Sequence, residues 1–321
     1  MEVEFKKASY KNRLFAFAID LFCMVVTALG LMSSANAISR NFPYYKEANN
    51  NINNLQLQSH LYETRKDGTA QLMCDYYNPS TEEEYKELNP QFDEALTTFF
   101  SDPQFFDQDD PKSGLYLYNI EKIPEGQTSS TLFIYEDETH QKIIPQESAG
   151  AKELYTFYSN VMANNAYKYL INNEIYIKAS RTINLNFIFF DLLLPIVLST
   201  TIFELIIPLC FSRGKKTLGK LAFKLSVVDV RGLSCPWPRY LLRFTIFLFL
   251  EIIMSVVLFI PLIVSFSMMV FSKRGQSFHD YVCNTYVVEA SSSSICKTEE
   301  EYIAKHNRDV NFSITKEDVA L

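Results

Sequence analysis

The chain has 321 residues, a formal charge of −7 at pH 7 and a mean hydropathy of −0.04. The near-zero average conceals two kinds of sequence, since apolar runs at residues 14–38, 186–211 and 244–271 accompany a polar, acidic segment at residues 40–185. Soluble domains spread their apolar residues through a core, so this clustering excludes an ordinary soluble domain. Each run also reaches the roughly 20 apolar residues that a membrane span requires.

The sequence therefore predicts an α-helical integral membrane protein. Three apolar segments form a small helical bundle, and a mostly helical α+β extracytoplasmic domain is inserted between the first two. The predicted regions are a cytoplasmic N-terminus with the first transmembrane helix (1–39), the inserted domain (40–185), the second transmembrane helix (186–211), a basic cytoplasmic loop (212–243), the third apolar membrane segment (244–271) and a C-terminal segment with a mobile tail (272–321).

The first apolar run has an alternative interpretation as a secretory signal. Basic residues precede Leu21–Met32, and the small residues Ala35 and Ala37 follow, which is the order of a signal with a cleavage site. Cleavage would discard residues that carry the family resemblance given below, so we favour an uncleaved first helix.

The distribution of charge predicts the orientation. Short cytoplasmic loops of membrane proteins are enriched in Lys and Arg. The N-terminus and the 212–243 loop are basic, whereas residues 40–185 contain 22 acidic and 12 basic residues. This pattern places the N-terminus and the loop in the cytoplasm and the inserted domain outside.

The third apolar run has basic residues on both sides. Residues 244–271 are followed at once by Lys273 and Arg274, so a single crossing would place the C-terminus outside against the charge rule. A hairpin that turns near Pro261 keeps the C-terminus inside, although each arm is short for a full span. We favour the hairpin or a kink at Pro261, followed by a mobile cytoplasmic tail at residues 290–321.

The inserted domain is predicted to mix helices and strands. Ser80 or Thr81 followed by three glutamates is typical of a helix N-cap, and this helix is expected to end near Phe100. Alternating apolar residues predict two strands that pair as a hairpin. The remaining expected elements are these strands, at 115–120 and 131–136, a long helix at 147–180 that leads into the second span, and a helix at 44–66 that extends the first span.

Ionisable residues within the apolar runs are the candidate functional groups. Arg13 and Asp20 lie seven residues apart, which places them on one face of the first helix. Asp191, Glu204 and Glu251 lie in the later runs. Acids inside a membrane are costly unless paired or hydrated, and they usually mark ion or proton pathways. We select Asp20, Glu204 and Glu251 as candidate ion- or proton-binding residues.

The basic loop contains a motif that looks like a phosphate loop. Residues Gly214 to Lys220 read Gly-Lys-Lys-Thr-Leu-Gly-Lys, but Leu221 replaces the hydroxyl residue that would bind magnesium. An apolar helix precedes the motif where a phosphate loop requires a buried strand, so we reject nucleotide binding. A short strand is predicted just after it, at Leu225–Asp229.

These pieces, in this order, resemble the RDD family of membrane proteins, which is named for one arginine and two aspartates. The matching positions are Arg13, Asp20 and Asp280, and Arg243 and the Gly214–Lys220 loop add to the likeness. The resemblance implies that Arg13, Asp20, Arg243 and Asp280 form structural ion pairs between helices. It also implies transport of an unidentified ligand.

The resemblance covers residues 5–39 and about 184–290. Members of the family usually join their first two helices by a shorter loop, so the segment at 40–185 is a large insertion that the family does not explain.

Two functions follow from these predictions. The first is a part in the transport of an unidentified ion or small solute, which would require an oligomer because three or four helices enclose a pathway poorly. The alternative is a membrane-anchored binding or scaffold protein whose extracytoplasmic domain recognises a ligand or a protein partner.

Several other functions are not indicated by the sequence. His279 and Asp280 adjoin each other near a basic cluster, but no second His or nucleophile motif accompanies them, so no enzyme is predicted. No cofactor, metal site or nucleic-acid partner is expected. The expected partners are the lipid bilayer, further copies of the chain and an unknown extracytoplasmic ligand, and the expected location is multi-pass in the cell membrane, in a bacterium the plasma membrane.

Overall fold

The computed structural model describes residues 6–66, 68–136, 142–272, 275–291 and 294–305. The chain separates into two compact units, of which unit 1 is residues 1–39 and 187–321 and unit 2 is residues 40–186. Lys273 and Arg274, which helped to predict the topology, and residues 306–321 of the predicted tail lie outside the described residues.

The described part of unit 1 is mostly helical and contains one two-stranded sheet. The strands Leu225–Asp229 and Thr285–Glu289 run antiparallel, with Val227 opposite Val287. The strand predicted at Leu225–Asp229 is therefore confirmed. The helices are Tyr10–Ser39, Leu194–Thr201, Ile207–Cys210, Leu218–Ala222, Trp237–Ile246, Met254–Val257, Ile260–Phe271 and Phe278–Val282, and Phe187–Leu193, Ile202–Ile206 and Phe247–Ile253 are π-helical.

Two helices are long and apolar enough to cross a membrane. They are Tyr10–Ser39, with a mean hydropathy of 2.3, and the continuous run Glu174–Cys210, with 2.2. Only 17% and 28% of their most apolar windows are buried, whereas the core helix of a soluble protein would be mostly buried. A 30-residue helix is about 45 Å long and exceeds the roughly 30 Å hydrocarbon thickness. These features fit a helical membrane protein.

The third apolar run is broken just before Pro261. Its helical backbone is interrupted at Leu258, which is extended with φ −137° and ψ 109°, and a new helix, Ile260–Phe271, begins with Pro261 in its first turn. The second piece has 12 residues, so it is about 18 Å long and too short for a complete span. It contacts Phe247–Ile253 of the preceding helix. The position of the predicted break is thus confirmed, while the number of crossings stays a prediction.

Unit 2 has its own apolar core. Phe92, Leu96, Phe99, Leu170 and Met162 are completely buried within it. Its helices are Pro43–Gln58, Met73–Tyr76, Glu82–Ser101, Leu115–Lys122, Ala151–Val161, Tyr167–Ile171 and Glu174–Asn186, with a π-helical turn at Met162–Ala166, and its strands are Tyr62–Thr64, Ala70–Leu72, Phe133–Tyr135 and Ile143–Pro145.

Local signals predicted one helix of unit 2 well. Thr81 caps Glu82–Ser101 with a capping box, in which its hydroxyl accepts from the Glu84 N–H and the Glu84 carboxylate accepts from the Thr81 N–H.

The strand predicted at 115–120 is wrong, because these residues lie in the helix Leu115–Lys122. Tyr118 and Lys122, four residues apart, are both buried on one helical face, and the Tyr118 ring stacks on Phe100 at 5.3 Å. The apparent alternation was too short to tell a strand from a buried helix. The other strand forms at Phe133–Tyr135, but it pairs with Ile143–Pro145.

The two long helices predicted at the ends of unit 2 are shorter than expected. The helical run that begins at Ala151 is interrupted at Asn172 and Asn173, and the Asn173 side chain caps the next helix by accepting from the Ile175 N–H. Asn favours such caps over helix interiors because its side chain competes for backbone hydrogen bonds. The helix expected at 44–66 is Pro43–Gln58.

Candidate functional site

Asp280 is the centre of a buried ion-pair cluster in unit 1. Its Oδ2 atom accepts from Arg13 Nη2 at 2.7 Å and its Oδ1 atom from Arg243 Nε at 2.9 Å. The hydroxyl groups of Ser277 and Thr285 also donate to it, at 2.8 and 3.2 Å. Every oxygen of this fully buried carboxylate therefore has at least two donors, as a buried charge requires.

The local fold explains how Asp280 reaches this position. Ser277 precedes the short helix Phe278–Val282, and Asp280 lies in its first turn, where the helix dipole favours an acid. Burial alone would raise the pKa of Asp280, but the charges of Arg243 and Arg13 hold it well below its usual range. Asp280 is therefore a permanent anion between two guanidinium groups.

Asp20 lies apart from this cluster and is bound by uncharged donors, which we call the neutral cradle. Its Oδ2 atom accepts from the Thr217 hydroxyl at 2.5 Å and its Oδ1 atom from the Gly219 N–H at 2.7 Å. Thr217 also caps the helix Leu218–Ala222. A Cβ atom on Gly219 would lie 1.9 Å from the Ala16 carbonyl oxygen, so only glycine allows this approach.

The expectation that Asp20 forms a structural ion pair with the signature arginines is wrong. Among the described residues, no Lys or Arg lies within ion-pair distance of Asp20, although it is only 1% exposed. The Thr217 hydroxyl and the Gly219 N–H at the start of the helix Leu218–Ala222 hold its carboxylate instead. Arg13, about two turns away on the same face of the first helix, is paired with Asp280.

The two remaining candidate acids are also buried and partnered. Glu204 lies 3.6 Å from Lys220 Nζ. Glu251 accepts from the His279 backbone N–H at 3.2 Å and contacts His279 Nδ1 at 2.7 Å. On the other side of the imidazole, Arg243 Nη2 is 2.8 Å from Nε2.

These contacts assign the tautomer of His279. A guanidinium can only donate, so Nε2 must accept from Arg243, and the ring proton lies on Nδ1, where it is donated to Glu251. His279 thus connects the buried acid Glu251 to the Arg243–Asp280 ion pair.

Three buried acids of the apolar runs share an unusual backbone. Asp191, Glu204 and Glu251 each lie in a π-helical segment. Such segments are frequent at functional sites. Asp191 accepts from Asn36 Nδ2 at 3.2 Å, and within the described part of the chain its Oδ1 atom has no partner, but it does not line the cavity described next.

The other acids face a cavity of about 310 Å³ within unit 1. Most of its wall is apolar, and the helices on either side contribute the charged groups. With Asp280 behind the wall, the cavity is surrounded by four acids and three bases, so its formal charge is −1 when every acid is counted as ionised and His279 as neutral. The seven ionisable lining residues are Arg13, Asp20, Glu204, Lys220, Arg243, Glu251 and His279.

The sequence identified the acids and arginines but not their partners Thr217, Gly219, Lys220 and His279. The first three belong to the loop that adds to the RDD likeness and is rejected as a phosphate loop, and His279 has no second histidine near it in the sequence. A hydroxyl residue followed by a short helix is a recognisable cap signal. The contact of Gly219 with the first helix has no local signal.

The family model that describes the RDD family matches residues 156–284. Residues 156–284 therefore belong to the RDD family. The RDD match contains Glu204, Arg243, Glu251 and Asp280 and does not reach the first helix. Searches of the curated proteins and of the solved structures found no match to this chain.

The cavity of unit 1 combines ionisable groups with a mostly apolar wall. Its polar groups are carboxylates, ammonium and guanidinium groups, one imidazole and the hydroxyl groups of Ser265 and Ser277. Among the described residues, no group of three or more His, Cys, Asp or Glu side chains is placed to hold a metal ion.

Proposed function

We propose that this RDD-family membrane protein takes part in transporting an ion or small solute, with the cavity of unit 1 as the ligand site. The observation that carries the proposal is the convergence of three intramembrane acids, Asp20, Glu204 and Glu251, on one cavity of about 310 Å³. Ionisable groups are expensive inside a membrane and are retained mainly where they face a bundle interior or a water-filled path.

The excess negative charge favours a proton or a monovalent cation as the ligand. An uncompensated charge in a low-dielectric cavity is unfavourable, and one bound positive charge removes it. Few helices surround the cavity, so a complete pathway would need more than one copy of the chain. The working unit would be a homo-oligomer.

The proposed orientation follows from charge. The basic loop at 212–243 faces the cytoplasm, and residues 40–185 form a large extracytoplasmic insertion in a multi-pass protein of the plasma membrane of a bacterium. Maleimide labelling of single cysteines at Ser129 and Ser292 in intact cells tests it. Labelling at 129 alone supports the proposal, and labelling at both positions contradicts the cytoplasmic tail.

Flux through purified protein in liposomes tests the function. A pH dye inside the vesicles reports protons, and radioactive sodium reports a monovalent cation. We expect flux of one of them, and at least a tenfold loss in both Glu204→Gln and Asp20→Asn. The matched control is Glu136→Gln, which removes an exposed acid paired with Lys142.

Wild-type vesicles that are no more permeable than protein-free vesicles would contradict transport of these two ions. Flux that survives in both variants would contradict the role of the cavity acids.

A second candidate function rests on unit 2. This unit is compact by itself and has a core of its own, as a recognition domain tied to a membrane anchor would have. It would bind an extracytoplasmic ligand or protein, without enzymatic activity, cofactor or nucleic acid. Residues 40–186 expressed alone should then show a cooperative thermal transition by circular dichroism, and a chain without structure would contradict an autonomous recognition domain.

A further inference from the structure

Unit 1 contains the same short helix-and-strand element twice, at residues 215–229 and 275–289, an offset of 60 residues. In each copy a hydroxyl residue precedes a five-residue helix, a residue with left-handed backbone follows, and a five-residue strand ends the element. The corresponding parts are Thr217 and Ser277, helices Leu218–Ala222 and Phe278–Val282, Lys224 and Asn284 with φ of 54° and 50°, and strands Leu225–Asp229 and Thr285–Glu289.

The two copies pair with each other as equivalents. Val227 and Val287 occupy the same position in their copies, and they lie directly opposite each other in the antiparallel sheet. Antiparallel pairing of equivalent residues is the arrangement that a two-fold axis produces between two objects of the same shape. The sheet therefore marks an approximate two-fold relation inside unit 1.

The helices that contact these elements repeat each other as well. Each carries a tyrosine, an arginine three residues later and then a buried carboxylate. The arginine and the acid are seven residues apart in the first helix and eight in the second, and the π-helical segment Phe247–Ile253 accommodates the additional residue. The corresponding residues are Tyr10, Arg13 and Asp20, and Tyr240, Arg243 and Glu251.

One contact is common to both copies. Asp20 accepts from the backbone N–H of Gly219 at 2.7 Å, and Glu251 accepts from the backbone N–H of His279 at 3.2 Å. Gly219 and His279 are equivalent under the 60-residue offset. Asp20 and Glu251 are therefore counterparts, each bound at the start of one short helix.

The two copies differ at the side chain of His279, whose equivalent in the first copy is Gly219. In the first copy glycine stands at this position, and both oxygens of Asp20 accept from neutral donors. In the second copy the imidazole adds a titratable group 2.7 Å from Glu251. The contact in the second copy therefore contains two titratable groups, whereas the matching contact in the first copy contains only the carboxylate of Asp20.

We propose that the cavity lies between two half-units of common design and that the Glu251–His279 pair is its proton-binding site, with Asp20 as the structural counterpart of Glu251. The inference rests on the proposed function only in naming which positive ion the cavity takes. One proton on the pair removes the excess negative charge, and among the described residues no group of three or more His, Cys, Asp or Glu side chains is placed to hold a metal ion.

Charged groups from every neighbouring element set the behaviour of this pair. Arg243 contacts His279 Nε2 at 2.8 Å, and Asp280 Oδ1 is 3.6 Å from the same atom. Arg13 shares Asp280, while Lys220 faces the cavity from the other half and Glu204 faces it from the segment Ile202–Ile206. The two members of the pair are in direct contact, with His279 Nδ1 2.7 Å from Glu251 Oε1.

Proton uptake has a structural consequence at Arg243. A proton from water binds the Nε2 lone pair of His279, which accepts from Arg243 in the neutral form. After protonation, the new Nε2–H and the Arg243 Nη2–H are two donors that face each other. Arg243 must then move from Nε2, while Asp280 can accept from the new N–H. Protonation of the pair is thereby linked to the arginine–aspartate cluster.

Nitrogen NMR of the full-length protein in lipid nanodiscs tests the proposal without any flux measurement. His60, His140 and His306 are replaced by asparagine, so that the imidazole labelled with ¹⁵N is His279. At high pH we expect the Nδ1–H tautomer, and on acidification we expect conversion to the imidazolium. Glu251→Gln should lower the midpoint by about one pH unit, a tenfold loss of proton affinity.

Asp20→Asn is the matched variant in the other half and should move the midpoint less than Glu251→Gln does. The Nε2–H tautomer at high pH, an imidazole that stays neutral down to pH 4, or an equal shift in both variants would overturn the proposal. Titration of His279 in a protein without flux would leave the proton site standing and remove the transport function.

Discussion

Arg13 and Asp280 are 267 residues apart in the chain and form a 2.7 Å ion pair in the interior of unit 1. Arg243 binds the other oxygen of the same carboxylate. The buried carboxylate of Asp280 thus joins three segments that are distant in sequence, next to the cavity that is the candidate ligand site. Arg13, Arg243 and Asp280 are therefore structural residues first, because their ion pairs hold together the helices that surround the cavity.

Replacement of Asp280 by Asn should therefore destabilise the protein strongly. The change leaves two buried guanidinium groups without their shared counter-ion, and loss of one partner of a buried pair typically costs about 3–5 kcal/mol. Unfolding of the detergent-solubilised protein measures the loss. Glu299→Gln is the control, since it removes the exposed pair with Arg231 and should change stability by less than about 1 kcal/mol. Equal losses in the two variants would contradict the buried role of Asp280.

Local sequence signals predicted the elements that depend on local physics. The capping residue Thr81 located the helix Glu82–Ser101, and β-branched residues located the strand Leu225–Asp229. The strand prediction at 115–120 failed because a six-residue apolar pattern supports either a strand or a buried helix, and only the stacking of Tyr118 on Phe100 decides between them.

Only the charged residues of the candidate site could be predicted from the sequence. An acid in an apolar run stands out because placing a charge inside a membrane is energetically costly, and this identified Asp20 and Glu251. Their partners could not be found in the same way, because Thr217 lies 197 residues from Asp20 and a hydroxyl or glycine carries no anomaly of its own. The π-helical turn near Glu251 also shifts the helical periodicity, which hid its equivalence to Asp20.

The stability that Asp280 contributes should depend on pH in a defined direction. Its pKa in the folded protein lies well below the unfolded value of about 3.9, so the unfolded state takes up the proton first on acidification. The contribution is complete above about pH 5 and is lost as the pH falls through 4 towards the folded pKa. The stability difference between the wild type and Asp280→Asn should be constant from pH 5 to 7 and shrink below pH 4. A difference that grows on acidification would contradict the depressed pKa.

Gly219→Ala should disrupt the contact between the first helix and the short helix Leu218–Ala222. The new Cβ atom would lie 1.9 Å from the backbone oxygen of Ala16, and a backbone atom cannot move away as a flexible side chain can. We expect a loss of about 3 kcal/mol or more, the upper end for overpacking, measured as the yield and melting temperature of monodisperse protein. Gly30→Ala, with nothing within 4 Å of its Cβ position, should be neutral or slightly stabilising. A neutral Gly219→Ala would show that the helices are not this close.

Thr217→Val should show how much stability depends on the hydroxyl group of Thr217, because the substitution removes that group and keeps the shape of the side chain. Valine keeps the volume but leaves Asp20 Oδ2 buried without its donor, and it also removes the cap on the Lys220 N–H. The loss should be about 2–4 kcal/mol from an unsatisfied buried group and a lost cap together. Thr217→Ser retains the donor and should lose only the roughly 1 kcal/mol of one buried methyl group.

The double variant Asp20→Asn with Thr217→Val provides the stricter measurement. If the hydroxyl acts through Asp20, the two single losses overlap, and the double variant should be less destabilised than their sum by at least about 1 kcal/mol. The cap lost with Thr217 is common to both arms of the cycle and cancels, so the coupling reports the 2.5 Å contact alone. Additive losses would mean that Asp20 does not depend on Thr217, and the neutral cradle would then not be what holds this carboxylate inside the apolar unit.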